Sequence, residues 1–81
     1  MKAEHLEDAR LLADARRQNI RMRERIASNE KLRLMIGEGT EASAIVLTPS
    51  YLASIRKDLV AALDVRIAEN EDALRALGVE P

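Results

Sequence analysis

The stretch "RRQNIRMRER" at 16–25 places five arginines in ten residues, the densest group of side chains here that could do chemistry. Guanidinium groups in such number can hold phosphate, of a nucleic-acid backbone or of a nucleotide. Helical projection divides them. At 100° per residue Arg10, Arg17, Arg21 and Arg25 share an outer face with Asp14, whereas Arg16 and Arg23 fall in a column of sevens with Ala9 and Glu30. Tyr51, the single aromatic residue, is remote in sequence, so no aromatic is interleaved for base stacking. The candidate anion or nucleotide contacts are therefore Arg16 and Arg23, then Arg17 and Arg21, with Tyr51 as a stacking partner. The competing reading pairs Arg16 and Arg23 with Glu30 or with acidic residues of a second helix such as Glu69, and leaves the outer face solvated. Tyr51 then closes one end of the core with its hydroxyl in water.

Other chemistry is thin. His5 has no second His and no Cys beside it, which argues for a solvated imidazole rather than a metal ligand. "GEGT" at 37–40 follows a helical stretch and leads into an apolar run, the reverse of a phosphate-binding loop that opens a helix. No Ser/His/Asp set, Cys/His pair or carboxylate dyad has a spacing that needs explaining. We expect no enzyme, no cofactor and no metal.

The elements that would position these residues can be read from punctuation. Residues 3–36 contain neither Gly nor Pro and are rich in Ala, Leu, Arg and Glu, which predicts one long helix capped by Gly37. At ~1.5 Å per residue it would run on the order of 50 Å. Residues 37–48 break the pattern with two glycines and then Ala44-Ile45-Val46-Leu47, which reads as extended and suits either a cap on the bundle end or a strand paired with a second chain. Thr48-Pro49 starts a second helix, with Thr48 as N-cap and Pro49 at the first position, and Gly78 ends it after Leu77. The fold class is all-α: a single domain, 1–81, of two antiparallel helices at about 3–36 and 49–77 joined by a partly extended loop.

Helix 2 gathers Leu59, Leu63, Ile67 and Leu74 in one stripe, with Asn70 at a core-type position among them. Helix 1 has two apolar ridges, one through Leu6 and Ile20, the other through Leu12 and Ile26 with Asn19 inside it. Two ridges call for two neighbours, one of them from another chain, and these residues are the expected oligomer or partner interface of a four-helix bundle. "RIASNE" at 25–30 returns as "RIAENE" at 66–71, one packing step written twice; Asn70 is the copy expected to matter, facing Asn19, while Asn29 falls on a flank.

Composition supports association. Alanine supplies 13 of the 38 hydrophobic residues and there is no Phe or Trp, so a monomer core would be shallow. Residues 1–36 carry nine Lys/Arg against six Asp/Glu, and residues 37–81 four against eight, so the halves bear opposite charge. There is no cysteine, no run long enough to span a membrane, and no hydrophobic stretch behind Lys2 to make a secretory signal; a soluble, cytoplasmic protein is expected. The closing stretch, "LTPSYLASIRKDLVAALDVRIAENEDALRALGVEP", resembles small helical proteins encoded by phages and prophages in its coiled-coil texture. That resemblance covers about the second half, implies an accessory protein, and transfers no functional residue. The expected function is a non-catalytic helical hairpin that self-associates, most simply as a dimer, and binds another protein as adaptor, assembly factor or inhibitor. The alternative is an oligomeric nucleotide or nucleic-acid binder using the arginines of helix 1.

Overall fold

The computed structural model describes residues 3–28 and 30–81. Helix α1 spans Ala3–Ala27, strands β1 and β2 span Leu34–Ile36 and Ser43–Ile45, and helix α2 spans Pro49–Ala76. Asn29, and with it the expectation for the first copy of the repeat, lies outside the described residues. The two helices pack antiparallel, and neither strand packs against either helix.

Helix α2 begins and ends where its local signals place it. Thr48 Oγ1 accepts from the Tyr51 N–H at 3.2 Å, and Pro49 fills the first turn, where an N–H would have no partner. At the other end Gly78 turns left-handed (φ +83°), Val79 N–H returns to Leu74 O at 2.9 Å and Gly78 N–H to Arg75 O at 2.9 Å, so the last carbonyls are satisfied.

Helix α1 departs from expectation: it stops at Ala27, about 37 Å long, and residues 34–36 form a strand. The cause is non-local. Arg56, on α2, donates from Nη1 to Ile26 O (2.6 Å) and Ser28 O (3.0 Å), and from Nη2 to Glu30 O (2.8 Å). One guanidinium thus takes the carbonyls that a continuing helix would use. Beyond it Leu34, Met35 and Ile36 pair antiparallel with Ile45, Ala44 and Ser43. Gly37 is left-handed as expected, but it turns this ribbon instead of capping a helix; its φ is +89°, and a Cβ there would stand 2.8 Å from Glu41 O. The molecule is two helices carrying a small β-ribbon, not a purely all-α hairpin.

The core between the helices is slender. Ala9, Ile26, Leu63 and Leu74 are buried, and Leu74 alone is nearly sealed, at 2% exposure. The radius of gyration is 16.7 Å, against roughly 12 Å for a compact 81-residue domain, and the dimensions are 50 × 28 × 15 Å.

Candidate functional site

Two of the candidate arginines, Arg16 and Arg23, bridge the helices. Arg16 directs Nε and Nη2 at Glu71 Oε2, both at 2.9 Å, and Arg23 Nε reaches Asp64 Oδ1 at 2.5 Å. The hydrogen bond to Asp64 raises the Arg23 pKa above its usual value, aided by the carboxylate's charge, so this guanidinium stays cationic. The acidic partners on helix 2 are therefore Glu71 and Asp64 instead of Glu69. Glu30 pairs with Arg25, whose Nε lies 3.0 and 3.1 Å from its two oxygens.

These contacts scatter the arginine set. Tyr51 sits 20 residues before Glu71 on α2, roughly 30 Å away along the axis, and 13 before Asp64, roughly 20 Å. It cannot stack on anything held by Arg16 or Arg23, and it is exposed instead of closing the core. Arg17 pairs with Asp14 on its own helix, and Arg21 projects outward without an ion pair among the described residues. Among the described residues no cluster of three or more His, Asp or Glu could hold a metal, and no helix is long and apolar enough to cross a membrane.

What remains is surface. Of the residues expected at an interface, Leu63, Leu74 and Ile26 are buried between the chain's own helices, and Leu12, Ile20, Ile67 and Asn70 are half-buried, while Leu6 and Leu59 stay exposed. Asn19 Nδ2 donates to Asn70 Oδ1 at 2.9 Å, so the two asparagines meet as one half-buried polar layer. An open groove at the far end of the hairpin is lined by Asp8, Leu11, Leu12, Ala73, Ala76 and Leu77. The ribbon adds Met35, Ile36 and Ile45 to the apolar surface, and Val46 beside it is 95% exposed.

Sequence reasoning passed over Arg56, the residue that fixes where α1 ends. Its signal was an arginine on the same projected stripe as Leu52, Leu59 and Leu63, where a charge needs a partner. Leu11 also went unselected as a contact residue, although it is exposed on α1.

Compared with known proteins, the chain matches no family model, no curated protein and no solved structure.

Proposed function

We propose that this protein is a non-catalytic interaction module that self-associates through its helices and presents the assembly to another protein, as an adaptor, assembly factor or inhibitor. Surface area carries the reading. A compact monomer of 9.0 kDa exposes roughly 4,900 Å². This chain exposes 6414 Å², about 1,500 Å² more, and the excess includes Leu6, Leu11, Met22, Ile36 and Val46. Exposed apolar side chains grouped in this way mark interaction sites on soluble proteins. An accessory role, of the kind the second half of the sequence resembles, agrees with a chain that offers contact area and no reactive group.

The nucleotide reading receives less support, because Arg16 and Arg23 already hold carboxylates and an incoming phosphate would have to displace both. Concentration-dependent unfolding tests the proposal. A chain stabilised by self-association melts higher at 100-fold greater concentration, by several degrees, because mass action favours the folded assembly. An unfolding midpoint independent of concentration would argue for a self-sufficient monomer.

A further inference from the structure

We infer that a second copy of this chain packs on one particular side of the hairpin, the side bearing Leu11, Leu12 and Met22 of α1 and Leu59, Ala73 and Leu77 of α2. The inference rests on the self-association proposed above and gives it an address and an orientation.

The two sides of the helix pair differ. On a 100° projection centred on Leu63, Asp64 and Glu71 lie on one flank of α2, and the guanidinium arms of Arg16 and Arg23 reach across the seam to them. That side is closed by ion pairs. Leu59, Ala73 and Leu77 lie on the opposite flank, where no ion pair among the described residues spans the helices and the groove between Leu12 and Leu77 stays open. Leu11 is 56% exposed, Met22 47% and Leu59 37%, so the apolar side chains of this flank meet water. Ala15, Ala62 and Ala73 on the same side are small enough to let another helix approach to about 8–10 Å.

The area available suits a second copy as the occupant. Two helices side by side, ~37 Å long and ~20 Å across, offer about 700 Å² on one side, close to the ~800 Å² that each partner contributes to a standard interface. The ribbon, with three residues per strand, is too small to reach that area alone. α1 carries six basic and five acidic residues and α2 four and five, so net charge does not oppose α1 of one copy lying against α2 of the other. A two-fold axis parallel to the helices produces that pairing and makes every neighbouring helix antiparallel. Cross-helix contacts set the levels: Asn19 with Asn70, Arg16 with Glu71 and Arg23 with Asp64 place residue n of α1 beside residue ~88 − n of α2. Such an axis preserves level, so Arg21 of one copy stands within about one helical turn of Glu69 of the other. Both are exposed and without an ion pair among the described residues. The Asn19–Asn70 layers of the two copies become internal to the four-helix bundle.

Sedimentation equilibrium of the full chain and point variants, with circular dichroism on each, tests this. Met22→Glu and Leu59→Glu are expected to weaken dimerisation at least tenfold with helicity retained, and Val65→Glu, on the outer face of α2, to leave it unchanged. Arg21→Glu should weaken it severalfold, and adding Glu69→Arg should restore it. Should Leu59→Glu lose helicity, Met22→Glu decides, since its side chain is already half in water. Dimers that survive Met22→Glu but dissociate with Ile36→Glu or Val46→Glu would place the interface on the ribbon, overturning this inference and leaving self-association intact. A failure of Glu69→Arg to rescue Arg21→Glu would overturn the proposed orientation. An unmodified chain that stays monomeric would remove both the inference and the reading beneath it.

Discussion

Arg56 does at one position what several residues usually share: its two terminal nitrogens satisfy the carbonyls of Ile26, Ser28 and Glu30. Arg56→Ala should cost about 2 kcal/mol, because charge-assisted hydrogen bonds are lost and carbonyls at the end of α1 are left to water. Arg56→Lys should recover less than half of that, since an ammonium lacks the planar fork; denaturant midpoints measure both, and equal stability of the lysine variant would contradict the account. The Asn19–Asn70 pair makes the opposite prediction. Leucine at 70 exchanges a hydrogen bond worth about 1 kcal/mol for apolar burial worth roughly 2 kcal/mol, so Asn70→Leu should raise the melting temperature by a few degrees while broadening the distribution of oligomers. A loss of stability would show that the amide pair is indispensable. Glu30 is held below the usual carboxyl pKa, chiefly by the hydrogen bond from Arg25, with slight burial opposing and the guanidinium charge assisting. A carboxyl depressed in the folded state stabilises the fold above its unfolded pKa, and that contribution disappears as pH falls through the folded value. Between about pH 5 and pH 3, Glu30→Gln should therefore lose less stability than the natural chain. Parallel urea midpoints for the two proteins across that window would refute it.

Among the elements, α2 was legible and the end of α1 was not, for a reason that lies in sequence distance. Thr48, Pro49 and Gly78 act on carbonyls and N–H groups within five residues of themselves, so α2 could be placed to within a residue at each end. The end of α1 depends on Arg56, some 30 residues away, and on β2, which claims Leu34–Ile36 across a turn. Local helix propensity in 30–36 loses to those partners. A usable clue was present: Ile45 and Val46 are β-branched and extended, the glycines at 37 and 39 can turn the chain, and Leu34-Met35-Ile36 is the apolar segment within hairpin reach. The arginine column was legible as a feature facing helix 2, and the individual acidic partners were not, because Glu69 and Glu71, two residues apart, lie on opposite flanks of α2 and only the packing of the two helices decides which flank meets the arginines. The ribbon itself is open to test. Gly37→Ala forces an L side chain into left-handed backbone against Glu41 O, a cost of about 1–2 kcal/mol. Amide protection in 34–36 and 43–45 should vanish while the helical circular dichroism is kept; a protected ribbon in this variant would contradict the turn geometry.

At the scale of the whole molecule, form and composition agree. An alanine-rich hairpin 50 Å long and 15 Å thick buries four apolar side chains well among the described residues and leaves long flanks uncovered, and two of the candidate arginines, Arg16 and Arg23, serve as cross-braces on one side of it. Small domains have little core to spare, and this one follows that rule. In the function we propose, the helical flanks serve association and the ribbon, with exposed Ile36 and Val46, faces the partner of the assembly. The most direct test is the molar mass of the unmodified chain by light scattering at micromolar concentration. Self-association predicts a species of about 18 kDa, twice the 9.0 kDa of one chain, that dissociates on dilution. A monodisperse, well-folded species of 9.0 kDa would contradict the account.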